Sequence, residues 1–411
     1  MSKVLAIIAV SILHFTLTQN VFSQITINLP KLPKIGKQKP EQSKTGQGQD
    51  TATTGNGHGQ PKNSGDKPIY VAQRPTDTPV LLKNSVYVQA ITHNQYWKSP
   101  NESNYSSWVP AIRFESFVNH KKTLNYAVEY FNPDGSAWYS EKLEDAGVKQ
   151  FQSERPNGGV LDTKSTVGTG LYSFKIRDQE TNEVIYQGKF KVGKFSTASR
   201  PQEKNKFAFF VDHDWLMPFG TVGFREDFDE IGYTEMPVVS VWLKGYGVTA
   251  GELEGRLFFQ GRQIASTKEI DEKSGRIGGP SDFDERAPEF AASHSPLNYW
   301  KRWQFQWESF RFDNDGSGFK RESFKKVHYA DKNPGDYVVK IYRNDTQIRE
   351  MNFSIGPDGR LVVPAYTNHI FMLYHTIVLP VKVIGTSEKW NTTSWKTDAL
   401  YGNPISGFAA Q

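Results

Sequence analysis

The chain has 411 residues, of which 37% are hydrophobic and 13% aromatic, and it contains no cysteine. That length allows two or three domains with separate cores. The lack of cysteine excludes disulfides, thiolate metal sites and cysteine nucleophiles. The aromatic bias favours strands that carry large packed side chains over helices rich in Ala and Leu.

The N-terminal residues have the pattern of a leader. An apolar run covers residues 4–17, behind Lys3, and small side chains follow at Val21 and Ser23. This pattern predicts a signal peptide over residues 1–23, with cleavage after Ser23. Because the run is too short to be a full membrane span, we expect export, with no transmembrane anchor after cleavage.

Residues 24–68 have the composition of a linker. Residues 25–68 hold seven Lys against three carboxylates among many Pro, Gly and Gln residues. Such a segment cannot bury enough apolar surface to fold, so we predict a disordered basic linker. It is expected to be a solvated spacer, with contact to an anionic surface as the alternative. Since the charge excess lies there, no nucleic-acid face is expected in the folded part.

A first domain is predicted over residues 69–195. Alternating apolar runs at 85–91, 112–118 and 124–131 predict strands, and Asn132-Pro133-Asp134-Gly135 predicts a turn into the next strand. Together with the remaining runs they give about seven strands, which suits one β-sandwich.

A second domain is predicted over residues 205–357, after a charged linker at 194–206. It carries an irregular Gly- and Pro-rich insertion at 271–300. Trp303, Phe305 and Trp307 alternate with polar residues, so they predict a strand whose aromatic face lies in the core. Residues 358–411 add strands and a polar tail, which is expected to pack on the surface. They either belong to the second domain or form a small third unit.

One sequence phrase occurs twice. Gly170-Leu171-Tyr172 and Gly335-Asp336-Tyr337 each open an alternating strand, and a turn and a second alternating strand follow. Each copy predicts a β-hairpin. A Gly-x-Tyr at this place resembles the penultimate strand of immunoglobulin-like sandwiches, in which the Tyr hydroxyl ties down a corner. The resemblance implies an all-β fold with two tandem immunoglobulin-like antiparallel sandwiches.

Four aromatic residues fall between predicted strands, where no core periodicity explains them: Tyr96, Trp97, Tyr105 and Trp108. Exposed rings stack on sugars or anchor protein interfaces. The sequence therefore predicts a ligand-binding or interface loop here.

The insertion supplies a second candidate site. Its stretch 271–289 holds several carboxylates, Asp282 and Asp284 among them, between glycines and prolines. Long irregular loops often carry binding residues. Paired carboxylates also perform glycoside hydrolysis, but their separation in sequence does not fix their separation in space.

A third candidate is a calcium loop. Asp313, Asp315 and Ser317 take the first three ligand positions of an EF-hand-like pattern, but Phe324 stands where a bidentate Glu belongs. The favoured interpretation is a hairpin turn, with Ca2+ as the open alternative and no other cofactor. Asp212-His213-Asp214 has metal-ligand types, but neighbouring residues on a strand point to opposite faces, so a structural role is favoured.

These observations predict an exported, non-catalytic binding or scaffold protein that acts through protein–protein contacts at the cell surface or in the periplasm. The expected partner is another envelope or extracellular protein. Two alternatives stay open: a carbohydrate-binding module that uses the loop aromatics, and a glycan-active hydrolase that uses the 271–289 carboxylates.

Overall fold

A computed structural model describes residues 80–95, 105–117, 124–145, 150–153, 164–198, 201, 205–228, 233–245, 247–269, 280–283, 300–313, 327–366 and 376–411. All of them belong to one compact unit, residues 61–411. They form strands, turns and short 3-10 segments, so the predicted all-β class is confirmed. The predicted signal peptide (1–23) and basic linker (24–68) lie outside the described residues.

The N-terminal half of this unit forms two antiparallel sheets. Its strands are β1 (Val80–Leu81), β2 (Tyr87–Gln95), β3 (Tyr105–Phe117), β4 (Tyr126–Phe131), β5 (Ala137–Lys142), β6 (Glu144–Asp145), β7 (Gln150–Gln152), β8 (Gly170–Asp178), β9 (Val184–Ser196) and β10 (Phe207–Val211). One sheet has the order β1-β3-β7-β6, with β2 also paired to β3, and the other has the order β10-β9-β8-β4-β5.

The two sheets enclose a core that we call the first core. Buried and partly exposed side chains alternate along β4 and β8, as the period of two in the sequence predicts. Fully burying one large apolar side chain contributes about 1.5–3 kcal/mol. The first core therefore rests mainly on its aromatic members, which include Trp108, Phe114, Tyr126, Tyr130, Tyr172, Phe174, Phe190 and Phe209.

The C-terminal half forms one long, curled sheet. Its strands are β11 (Phe219–Phe228), β12 (Tyr233–Lys244), β13 (Leu253–Phe259), β14 (Arg262–Ser266), β15 (Pro280–Phe283), β16 (Trp300–Gln306), β17 (Phe310–Asp313), β18 (His328–Tyr329), β19 (Gly335–Arg343), β20 (Thr346–Ile355) and β21 (Thr376–Val383). The strand order is β14-β13-β19-β20-β21-β11-β12-β16-β15, and β17 joins β12 to β18.

This sheet surrounds a second core, to which Val239, Leu257, Trp303, Phe305, Trp307, Tyr337, Phe353 and Val381 belong. The aromatic strand predicted at Trp303, Phe305 and Trp307 thus packs inward, as expected. Short 3-10 segments connect strands in both halves, at Lys83–Ser85, Asp214–Leu216, Ala250–Glu252, Ala330–Lys332 and Ser394–Lys396. None of the helical segments in the described part is long and apolar enough to cross a bilayer.

The repeated phrase forms two matching hairpins, β8–β9 and β19–β20. Each begins at a glycine with a left-handed φ, +137° at Gly170 and +140° at Gly335, which a β-carbon would strain. The register shifts after Ile176 in one hairpin and after Ile341 in the other. The Tyr337 hydroxyl donates to the Asn333 carbonyl oxygen at 2.8 Å, which is the predicted corner contact. Both hairpins are therefore confirmed.

The structure differs from the sequence prediction at the boundary between the halves. Residues 207–211, expected to open the second domain, form β10 and pair with β9. Lys194–Ser196, expected to lie in the linker, are the end of β9. The reason is apolar alternation, because Phe209 and Val211 point into the first core and extend its sheet.

The C-terminal residues also differ from the prediction. Strand β21 pairs with both β11 and β20 inside the long sheet. The chain then returns to the first core, where Leu400, Tyr401 and Phe408 are buried instead of lying on the surface. The C-terminal segment, residues 384–411, therefore belongs structurally to the N-terminal half.

Candidate functional site: the outer edge of strand β5

Strand β5 begins at a tight turn that its own residues hold in shape. The Asp134 carboxylate accepts hydrogen bonds from the Ser136 backbone N–H at 2.9 Å and from the Ser136 hydroxyl at 2.6 Å. These bonds lower the pKa of Asp134. Gly135 takes the left-handed φ of +85° that the turn requires. The predicted Asn132–Gly135 turn is thus confirmed, and it presents β5 in a defined conformation.

The inner side of β5 is fixed to the rest of the fold by polar contacts. Trp138 Nε1 donates to the Lys164 carbonyl oxygen at 2.9 Å, and the Tyr139 hydroxyl donates to the Pro110 carbonyl oxygen at 3.1 Å. Glu141 accepts the Ser153 hydroxyl at 2.6 Å. Burial raises the pKa of Tyr139 above its ordinary value, so this phenol stays a neutral donor. The strand is therefore held rigidly from inside.

One contact shows which peptide groups of β5 bond to β4 and which point away from it. Leu143 N donates to the Tyr126 carbonyl oxygen at 2.9 Å, in line with the β4–β5 register. In an antiparallel pair, residues alternately point their peptide groups toward and away from the partner strand. The backbone N–H and C=O of Glu141 therefore bond to β4, whereas those of Ser140 and Lys142 point away from β4. Within the described residues, neither of those two N–H groups has a hydrogen-bond partner.

Side chains close most of the outer edge of β10. The N–H groups that point away from β9 there belong to Phe207, Phe209 and Val211, and the first two are capped. Phe207 N donates to Ser106 Oγ at 2.8 Å, and Phe209 N donates to Thr92 Oγ1 at 2.9 Å. Both hydroxyl-bearing residues are buried. No further strand can therefore add to β10 without displacing these contacts.

The outer edge of β14 is closed in a different way. Ser266 N, which points away from β13, donates to Glu269 Oε1 at 3.1 Å. The register also shifts between Leu257 and Phe258, which leaves Ile264 as an extra residue in the edge strand. Such bulges disrupt further pairing, and β5 has one too, near its turn, where Trp138 is the extra residue. Beyond that bulge, the outward N–H groups of Ser140 and Lys142 have no cap among the described residues.

The prediction of an aromatic loop is wrong for Trp108, because this residue lies on strand β3. Its side chain is 0% exposed, and Nε1 donates to the Gly168 carbonyl oxygen at 2.8 Å. The ring packs edge-on against Tyr172. It thus offers no surface for a sugar. Tyr105 is the first residue of the same strand, and Tyr96 and Trp97 lie outside the described residues.

The structure describes only part of the carboxylate site that the sequence predicts in the insertion. Asp282 lies on β15, opposite Trp303 of β16, at the end of the long sheet. Its side chain and all of Asp284 are outside what the structure describes. Ligand contact or hydrolysis by the 271–289 carboxylates therefore stays a prediction.

The first residue of the predicted calcium loop, Asp313, already pairs with a lysine. Asp313 is buried, and its carboxylate pairs with the Lys332 ammonium group. This contact raises the pKa of Lys332. Asp331 Oδ1 accepts the Asp313 backbone N–H at 3.0 Å. Asp315 and Ser317 lie outside the described residues. Within the described ranges, no group of three or more potential ligands could hold a metal.

Asp214, from the Asp-His-Asp triplet, is the centre of a buried polar network. Its carboxylate accepts bonds from Lys244 Nζ at 2.7 Å, Trp300 Nε1 at 3.1 Å and the Asn391 backbone N–H at 2.7 Å. His213 Nε2 lies 3.1 Å from the Tyr401 hydroxyl. These contacts join distant parts of the chain, so the structural interpretation of the triplet fits the geometry.

The sequence reasoning missed both the open edge of β5 and the buried role of Tyr401. A hairpin turn and alternation predict that β5 exists, but they do not show which strand ends a sheet. Tyr401 lies in a polar segment without periodicity, and no local signal indicates that it is buried.

No protein-family model and no curated protein matches the chain. Among solved structures, it is similar to the B domain of a biofilm associated protein, with 10% identity over 66% of this chain and 87% of that chain. The TM-score is 0.13, which is too low for any inference about function.

Proposed function

We propose that this chain is an exported, non-catalytic binding or scaffold protein of the cell surface or periplasm. It is built from tandem immunoglobulin-like β-sandwiches behind a signal peptide and a basic linker, and a protein partner adds a strand to β5. The observation that carries the proposal is the contrast between edges. Among the described residues, the outward N–H groups of Ser140 and Lys142 have no hydrogen-bond partner, whereas side chains cap Phe207 and Phe209 of β10 and Ser266 of β14.

Strand addition suits this edge energetically. Ser140 and Lys142 each offer one N–H and one C=O to an incoming strand. Each backbone hydrogen bond contributes about 0.5–1.5 kcal/mol net. Because the turn and the inner contacts already order β5, binding costs little additional conformational entropy on this side.

The side chains along the edge favour a partner other than a second copy. Lys142 is exposed at the end of β5, and lysines on edge strands discourage self-pairing because like charges meet. An extended segment with an acidic residue opposite Lys142 fits the edge better. The proposed partner is therefore a different envelope or extracellular protein.

A proline substitution tests the edge directly. Ser140→Pro removes one outward N–H and places the ring where the added strand would lie, and proline is tolerated on edge strands. Ser140→Ala keeps the N–H and is the matched control. Both mature variants would be used for affinity capture and cross-linking in the native host, with quantification of the proteins that come with them.

We expect wild type and Ser140→Ala to retain the same stoichiometric partner and Ser140→Pro to lose it. Thermal unfolding of both variants shows whether the fold is intact. A folded Ser140→Pro variant that retains the partner at the wild-type level would refute strand addition at β5.

A further inference from the structure

The outer face of the sheet in the N-terminal half carries a row of cations. Along β8 the apolar side chains point into the first core, so Lys175 and Arg177 point outward. Along β9 the exposed outward residues include Lys189 and Lys191. We call these four side chains the basic row.

The strand register sets the spacing of the basic row. Lys189 lies opposite Ser173 and Lys191 lies opposite Leu171, so Lys189 is the diagonal neighbour of Lys175. Diagonal neighbours and residues two apart on one strand are separated by roughly 7 Å. The row therefore extends for roughly 20 Å along the neighbouring strands β8 and β9.

Lys175 and Lys189 form no ion pair among the described residues, and Glu129, which lies directly opposite Lys175, pairs with Arg177. Arg177 is different, because its Nε lies 3.2 Å from a Glu129 carboxylate oxygen. At one end of the row Lys191 interacts electrostatically with the Asp212 carboxylate, which also accepts the Asp214 backbone N–H at 3.0 Å. The centre of the row therefore keeps its positive charge available to an outside anion.

Apolar surface lies beside the charges. Lys175 Nζ sits 5.2 Å from the centre of the Phe131 ring, which is half-buried on the neighbouring strand. Leu171 is 53% exposed at the other end. Sugar polymers with acidic groups present charges and apolar ring faces together, so both parts of this surface would be used.

We infer that the basic row binds an extended acidic polysaccharide. A linear polymer can follow the row along β8 and β9, with its acidic groups on the cations and its ring faces on Phe131 and Leu171. The inference does not depend on the edge of β5, and it uses residues other than the loop aromatics that suggested sugar binding in the sequence.

The test uses polygalacturonate as the probe, with its fully methyl-esterified form as the uncharged control. A variant with Lys175→Gln, Lys189→Gln and Lys191→Gln loses three of the four positive charges of the row. Affinity would be measured by calorimetry on the full mature chain at low and high salt, because contacts between exposed charges weaken as salt rises.

The matched control removes the same charge from the C-terminal half through Lys268→Gln, Lys340→Gln and Lys382→Gln. It keeps the predicted basic linker, as the row variant does, so binding by the linker affects both equally. We expect the row variant to bind about tenfold more weakly than wild type, as three exposed charge contacts allow, and the control variant to bind like wild type. Ser140→Pro should leave polysaccharide binding unchanged.

Three results would overturn the inference. The first is equal affinity of the row variant and the control variant, which would assign binding to other lysines. The second is equal binding of the charged and the esterified polymer. The third is binding to phosphatidylglycerol vesicles without binding to polygalacturonate, which would assign the row to a membrane surface.

Discussion

Replacing Tyr401 with Phe tests whether the C-terminal segment is part of the first core. The Tyr401 hydroxyl accepts the Val88 backbone N–H at 2.8 Å, and Val88 is 0% exposed. Phe keeps the ring and removes only the oxygen, which leaves a buried donor without that acceptor. An unsatisfied buried group costs about 1–3 kcal/mol, so we expect Tyr401→Phe to lower the free energy of unfolding by that amount.

The assay is urea unfolding followed by tryptophan fluorescence, with Tyr342→Phe as the control. Tyr342 is only half-buried, and no hydrogen bond of its hydroxyl to a described residue is seen. Loss of the Tyr342 hydroxyl should change the free energy of unfolding by no more than about 0.5 kcal/mol. If both variants unfold at the same urea concentration, Tyr401 is not seated in the first core, and the account of the C-terminal segment fails.

Two further predictions concern charged groups around the second core. The hydrogen bond from Arg256 lowers the pKa of Glu254 from 4.5 to about 2 in the folded chain. The stability that this contact contributes is present above pH 4.5 and lost as the pH falls toward 2, so Glu254→Gln should flatten the acid limb of a plot of stability against pH. Because Asp313 pairs with Lys332, we expect the Tm to stay unchanged when calcium or EDTA is added. A rise in Tm with calcium would instead support the interpretation of residues 313–317 as a calcium loop.

Local patterns in the sequence predict much of the fold. The two Gly-x-Tyr hairpins, the Asn132–Gly135 turn and the inward aromatic strand at Trp303 all follow from alternation and turn chemistry, which act between near neighbours. The structure places each of them as predicted, because tertiary packing agrees with the local preference at these positions.

The long-range arrangement could not be predicted in the same way. Leu400 and Tyr401 both adopt left-handed φ values, +49° and +61°, which side-chain-bearing residues rarely take. Contacts with distant strands stabilise this conformation, and no local pattern contains them. Trp108 shows the same limit, because its burial depends on a second sheet that covers β3.

The candidate site is determined by which strands pair with one another and not by the types of its residues. Ser140 and Lys142 carry no chemical signature in the sequence. They stand out because β5 ends a sheet and their outward N–H groups have no cap among the described residues, whereas Ser106, Thr92 and Glu269 cap outward N–H groups of β10 and β14. Which strands end a sheet is decided by the whole topology.

Residue-resolved hydrogen exchange along β5 tests the central claim most directly. In the free protein, the amides of Ser140 and Lys142 should exchange rapidly while those of Glu141 and Leu143, which bond to β4, stay protected. On addition of the captured partner, Ser140 and Lys142 should become protected as well. Slow exchange of Ser140 and Lys142 in the free protein, or no change with the partner bound, would contradict an open edge that receives a strand.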